Sequence, residues 1–191
     1  MSISLCMPRR QHGAVFVTAM VLLVILTLLG ITAMKMANLE ELMSGNMRDR
    51  NLALQAAEMG LRYAEQHIRD NDPATNIPNS IDGITGFDAA CTGGYCYYGQ
   101  NQPSPPIESV IASCTPNCPL IYTPGTVFTI DGINYTAPAL PAGVPAPAYL
   151  IEGIKKTPPG SSNFSYFYRV TVRAQGARPG TIVWLQEIFK P

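Results

Sequence analysis

The feature that most limits what this chain can fold into is the run from Ala14 to Met34, 21 residues without a charge. At about 1.5 Å per residue it makes roughly 32 Å of helix, enough to cross the hydrocarbon core of a bilayer. Arg9, Arg10 and His12 stand directly before it, followed by Gly13. Basic residues hold their end of a span in the cytoplasm, so everything beyond Lys35 is expected on the far side of the membrane.

That division organises the composition. In 191 residues, less a leader and a span, there is room for one modest exported domain. The formal net charge is zero, and removing a leader with Arg9 and Arg10 leaves about −2. No basic stripe is left to follow a phosphate backbone, so nucleic acid is not an expected partner. Of the five cysteines, Cys6 lies in the leader, while Cys91, Cys96, Cys114 and Cys118 lie beyond the span. An even number in an exported domain reads as two disulfides.

The leader is not that of an ordinary secreted protein. A secretory signal has an apolar core of about 7–15 residues with a small-residue cleavage site after it. Here the apolar run is longer and Ile31–Ala37 offers no such site; the small residue, Gly13, comes before the run. Cleavage there removes the leader and keeps the span as the mature N-terminus. Cys6 also precedes the apolar run, which excludes a lipoprotein signal.

The helical pattern continues past the span. Met47, Leu54, Leu61 and Ile68 recur every seven residues, with Ala57 and Ala64 on nearly the same face, while Arg48, Asp49, Arg62, Glu65, Gln66 and Arg69 fall largely outside those rows. This spacing predicts an amphipathic helix whose apolar stripe needs a partner. Taken without interruption from Ala14 to about Arg69 it is 56 residues, roughly 84 Å, ended by Asp70-Asn71-Asp72-Pro73. Gly30, Gly45 and Gly60 each cost about 1 kcal/mol relative to alanine, and Ser44-Gly45-Asn46 is the weakest turn.

A short basic leader ending in glycine, an uncharged span and an amphipathic continuation together resemble a type IV prepilin. The stretch from Leu39 to Arg62, with Glu40-Glu41, Asn46 and Gln55-Ala56-Ala57-Glu58, is similar to the N-terminal region of PilX-type minor pilins. A weaker likeness to the C-terminal sheet of those chains lies in Tyr149–Glu152, Tyr168–Arg173 and Val183–Gln186. The resemblance implies an α+β pilin-like fold: a long N-terminal helix packed on a C-terminal antiparallel sheet. Its parts are a leader at 1–13, a transmembrane half-helix at 14–34, an amphipathic half at 35–72 and an exported head at 73–191.

The resemblance also implies chemistry done to the chain. A prepilin peptidase cuts after Gly13 and N-methylates Ala14. Further implied partners are other minor pilins, the major pilin and the assembly platform in the inner membrane. Most prepilins carry a glutamate five residues into the mature chain, where it meets the N-terminal ammonium of the neighbouring subunit; here that position is Thr18. A carboxylate in the bilayer costs on the order of 2.5–3.5 kcal/mol unless it is partnered. Thr18 carries no such charge, though its hydroxyl can bond back to a helix carbonyl. Head-to-tail packing needs different donor and acceptor surfaces, so a subunit with only one of the two groups is expected at one end of a filament, helping to prime it. Glu40 and Glu41 are expected to contact neighbouring subunits or to mark the membrane boundary.

In the head, Cys91-Thr-Gly-Gly-Tyr-Cys96 and Cys114-Thr-Pro-Asn-Cys118 are compact enough for two local bridges, though other pairings and a four-cysteine zinc site stay open on spacing alone. Export to an oxidising compartment favours disulfides. Asp131-Gly132 between β-favouring residues predicts a hairpin with a type I′ turn. Pro138–Pro147 reads as an extended surface linker. Ala148–Lys155, Phe164–Ala174 and Thr181–Phe189 read as an antiparallel meander whose covered face takes the Met47/Leu54/Leu61/Ile68 stripe. A short strand is expected at Ile81–Ile84.

Little points to catalysis. His67 is the one histidine left after leader removal and is expected to be an exposed helical residue. Asp82, Asp88 and Asp131 are too scattered for a metal, and no cofactor is expected. Tyr95, Tyr97 and Tyr98 either form an aromatic contact surface or pack around the first cysteine loop. Two competing readings share the same N-terminus: a K-type minor pseudopilin of type II secretion, and an exported enzyme or binding module on an uncleaved signal anchor.

Overall fold

A computed structural model describes residues 12–70, 86–99, 102–106, 109–110, 119–160, 162–163 and 165–190. The strand expected at Ile81–Ile84, and Cys114 and Cys118, lie outside the described residues. The chain divides into two compact units, residues 1–46 and 47–191. Helix α1 (His12–Asp70) contributes to both and continues as α-helix through Gly45. In the first unit every described side chain from Val15 to Ser44 is exposed, and the helix is long and apolar enough to cross a membrane.

The second unit is an α+β domain. Its elements after α1 are β1 (Tyr95–Cys96), β2 (Leu120–Ile121), β3 (Val127–Ile130), β4 (Ile133–Thr136), β5 (Ala148–Lys156), β6 (Ser165–Gln175) and β7 (Ile182–Phe189). The expected meander is present, with β5, β6 and β7 antiparallel in that order. The free edge of β5 is shared by two short strands that the sequence did not announce: β1 runs parallel to it and β2 antiparallel. The predicted hairpin is β3–β4, with Asp131 and Gly132 both at positive φ, 52° and 79°, as a two-residue type I′ turn requires.

One face of the meander, with Tyr149, Ile151, Tyr168, Val170 and Val172, is buried in the main core together with α1. The helical face that meets it is only partly the one expected: Ala57, Ala64 and Ile68 of that face are inside, but its other large residues are not. Ala53, Ala56, Ala57, Gly60 and Ala64 are buried, whereas Met47 is 64% and Leu54 37% exposed; Leu61 is half-buried and only Ile68, at 3%, is inside. The correction has a geometric cause. A strict seven-residue row drifts about 20° per heptad around a straight helix, so the Met47 row starts on the solvent side and reaches the core only at Ile68. The small residues let the helix backbone come close to the sheet: a Cβ on Gly60 would lie 2.8 Å from Val172 Cγ1 and 3.3 Å from Pro147 Cγ.

The proline-rich stretch also differs in part from expectation. Pro147 is fully buried and Val144 nearly so, and Leu140 packs on the core, so Pro138–Pro147 runs over the surface as expected at most of its positions but is anchored in the interior at these three. Its carbonyls are used: Tyr122 donates its phenol to Pro138 O at 2.5 Å and its backbone N–H to Pro147 O at 3.0 Å. Prolines bring no N–H that would need a partner there, which makes their burial inexpensive. Above them, Tyr63 of α1 stacks with Tyr122, Phe128 and Tyr149 at centroid distances of 4.8, 4.9 and 5.7 Å. The last residue of α1, Asp70, accepts the backbone N–H of Thr129 at 3.1 Å and ties the hairpin to the helix end.

Gly60→Ala places a methyl group in this close approach and is expected to destabilise the second unit by about 1–3 kcal/mol. Gly30→Ala, which meets nothing within 4 Å, is expected to leave the thermal midpoint unchanged in detergent solution. Melting curves followed by circular dichroism compare the two.

Candidate functional site

The residues singled out for processing and assembly lie in the first unit. Gly13 and Ala14 are within the first turn of α1. One turn on, Thr18 donates its hydroxyl to the carbonyl of Val15 at 2.9 Å, and Thr27 and Thr32 do the same to Val24 and Leu29 at 2.8 and 2.9 Å. Every hydroxyl of the uncharged run is thus bonded within its own helix, as a polar group in hydrocarbon requires. Glu40 and Glu41 are exposed on the same helix about six turns further along, and among the described residues neither forms an ion pair.

In the second unit three titratable groups sit where the helix joins the sheet. Asp49, expected outside the apolar rows and therefore solvated, is only 5% exposed. Its Oδ1 accepts the backbone N–H groups of Ala177 and Arg178, at 2.8 and 3.2 Å, from the turn between β6 and β7. A hydrogen bond from the Thr181 side chain, with these two N–H groups and the Arg178 charge, holds the carboxyl below its usual range against the opposing effect of burial. Gly176 makes room: a Cβ there would lie 2.8 Å from the carboxylate.

His67 corrects another expectation, because it is half-buried and not an exposed helical residue. Its Nε2 lies 2.7 Å from the hydroxyl of Tyr95 and its Nδ1 3.1 Å from that of Tyr149. The ring therefore joins α1 to β1 and β5. Burial lowers its pKa, with Asp70 opposing, and burial also pushes the Tyr149 phenol far up. Glu187, on the helix-facing side of β7, is the third group. Burial and then the adjacent Glu65 of α1 raise its pKa.

Around the cysteines, Cys91 and Cys96 form a disulfide, as the first local pair predicts. Thr92 donates its backbone N–H to the Asp88 carboxylate at 3.0 Å, and Tyr97 N–H bonds Asp88 O at 2.8 Å. The tyrosines pack around the first cysteine loop while staying partly exposed: Tyr95 meets Phe87 edge-on at 5.2 Å, Tyr98 puts its hydroxyl 3.1 Å from Cys91 Sγ, and Tyr97 is half-buried. Among the described residues no group of three or more His, Cys, Asp or Glu side chains is placed to hold a metal.

The family described as PilX N-terminal matches residues 12–62, and the family described as type IV pilus assembly protein PilX C-term matches residues 92–191. The chain belongs to the PilX family of type IV pilus assembly proteins. It is therefore a minor pilin, a structural component of pilus assembly. Searches of curated proteins and of solved structures found no match. The first PilX region carries Gly13, Ala14, Thr18, Glu40 and Glu41 together with Asp49 and Gly60; the second carries Cys96 and the whole β5–β7 meander. Sequence reasoning overlooked the partner of Asp49, and it read Gly60 as a weak point of the helix or a contact to neighbouring helices, where the structure has it against the chain's own sheet. The row Ala53, Ala56, Ala57, Gly60, Ala64 was a readable signal for close packing, whereas nothing local to Asp49 announces a partner loop more than a hundred residues away.

Of these groups, His67 and Glu187 give opposite pH dependences. His67 is held neutral, so the unfolded chain binds its proton more tightly. The stability it contributes is complete above the unfolded value of 6.5 and is lost as pH falls below it. The thermal midpoint is expected to drop between about pH 7 and pH 5, less steeply in His67→Gln, measured by circular dichroism. For Glu187 the folded pKa is raised, so its contribution is complete below the unfolded value of 4.5 and declines as pH rises through the folded one. Glu187→Gln is expected to raise the midpoint at pH 7 and to give no gain at pH 4.

Proposed function

We propose that this minor pilin is processed at Gly13 and acts in a priming or tip complex of the type IV pilus. The observation that carries the reading is Thr18. It stands where a prepilin is expected to carry a carboxylate, and its hydroxyl is directed to Val15 O in its own helix. A subunit of this kind offers the Ala14 ammonium to a carboxylate on a neighbour and has none to offer in return at position 18. That asymmetry suits one end of a head-to-tail filament. The uncharged half of α1 anchors the chain in the inner membrane with the second unit in the periplasm, in keeping with the basic residues before the run.

On this reading the prepilin peptidase, the other minor pilins, the major pilin and the assembly platform are its partners. Glu40 and Glu41 meet neighbouring subunits. The protein supports twitching motility and adhesion through the filament it helps to start.

Three measurements test this. N-terminal sequencing from cells with active prepilin peptidase is expected to show N-methylated Ala14, and an intact Met1 defeats the reading. Deletion of the gene is expected to cut surface pili severely. Thr18→Glu, which supplies the missing carboxylate, is expected to spread the subunit along the filament in immunogold images; a label still confined to one end would show that Thr18 is not what restricts it.

A further inference from the structure

The face of the sheet turned away from α1 carries a cleft that the assembly reading does not use. It lies between β5–β7 and the segment that follows the Cys91–Cys96 bridge. A hollow of about 270 Å³ has Leu150 and Thr171 among its lining, with Tyr98, Pro105 and Gln186 around them. A second hollow of about 230 Å³ adjoins it and is lined in part by Gln102, Ser104 and Ile188. Both hollows share Tyr98, Glu152 and Arg169.

The shared side chains form a built polar group. Arg169 donates from Nε, at 3.0 Å, and from Nη2 to Glu152 Oε2, and Ser104 donates its hydroxyl to Glu152 Oε1. The side chains of Arg169 and Glu152 are 23% and 12% exposed. Their register, with Glu152 opposite Arg169 and Thr171 opposite Gln186, fixes the pair on rigid strands and not on loops. Gln186 Nε2 donates to Thr171 Oγ1 at 2.8 Å, which leaves the amide oxygen as an acceptor.

We propose that this cleft binds a neutral saccharide of at least two rings. Each hollow is smaller than the roughly 300–1,000 Å³ that a drug-sized ligand fills, so each suits a group of about one ring, and the planar ion pair lies where they meet. The polar groups offer donors and acceptors together: a guanidinium, a carboxylate, a carboxamide and a phenol. Hydroxyl groups, which donate and accept at once, match that mixture. A phosphate matches only the Lys155 and Lys156 side of the second hollow, and meets the Glu152 carboxylate that both hollows share. Leu150, Pro105 and the Tyr98 ring supply apolar surface for the C–H faces of a sugar. The inference is independent of the filament reading, since assembly at Ala14 and Thr18 involves none of these residues.

Trp184, the only tryptophan, lies on the same face two residues before Gln186 and is 37% exposed, so it reports on the cleft. Full-length protein in an amine oxide detergent, which has no sugar headgroup, is applied to a glycan array. The best neutral glycan is then titrated against Trp184 fluorescence. Binding is expected to weaken at least about tenfold in Gln186→Ala and Glu152→Gln with the circular dichroism spectrum unchanged. Should Glu152→Gln fail to fold, Gln186→Ala decides, because Gln186 is exposed and its described bond is only to the Thr171 hydroxyl. The proposal is overturned if no neutral glycan binds, if Gln186→Ala binds as well as the parent, or if only sulfated glycans bind and about 0.5 M salt abolishes it. That last result would assign the binding to the charges of Lys155 and Lys156, which line the second hollow.

Discussion

Everything in the second unit depends on how closely α1 lies against β6. Alanines and one glycine on the helix face the flat apolar surface of Val170 and Val172, and the distance is short enough that Gly60 has no room for a methyl group. Close approach removes water from both surfaces without large side chains having to interdigitate, and it multiplies weak dispersion contacts. It also explains why the burial of Pro147 follows from the helix. The chain entering β5 must pass beneath Gly60, and a proline fills that space without adding an unpaired N–H.

The polar groups at the edges of that seam make it specific. Alanine on valine is a slippery contact, since one small side chain resembles the next and a shift by one turn costs little. Asp49 removes that freedom, because only one register brings its carboxylate to the N–H groups of Ala177 and Arg178. His67 adds a second fixed point about five turns away, with a hydroxyl at each ring nitrogen. Glu187 opposes them. Its carboxyl oxygen Oε1 is buried with no partner among the described residues, and its neighbour Glu65 carries the same charge. Asp49 is itself satisfied only at Oδ1, its Oδ2 being buried with no partner among the described residues, so the seam is fixed by Asp49 and His67 and strained by Glu187.

The fold was largely legible because its long elements have unambiguous periods. The 21-residue uncharged run, the alternation through β6 and the Asp131-Gly132 turn each leave one reading, and the structure has all three elements. The errors occurred where a local pattern met a distant partner. The Met47–Ile68 heptad row has the stronger hydrophobicity, yet the alanine row beside it is buried, because the flat sheet rewards closeness over bulk. Asp49 and His67 look like solvent-facing residues in any helical projection. Only the loop after β6 and the tyrosines of β1 and β5 give them partners, and those lie far along the chain. Pro138–Pro147 was read only in part for the same reason: most of it is exposed, but composition says nothing of what covers Val144 and Pro147.

The hydroxyl of Thr18 bears on the order of events in assembly under the proposed reading. A glutamate at that depth costs on the order of 2.5–3.5 kcal/mol until a partner ammonium arrives, so a subunit carrying one is stabilised by a neighbour already present. Thr18 has no comparable debt, because Val15 O satisfies it inside the helix, as Val24 and Leu29 satisfy Thr27 and Thr32. Such a subunit rests in the bilayer alone without penalty. Its Ala14 ammonium, by contrast, is a ready site for the first carboxylate that diffuses past. A chain that is content without a neighbour and yet able to recruit one has the energetics of a starting point: it waits unpartnered, while the subunits it attracts are those for which remaining unpartnered is costly.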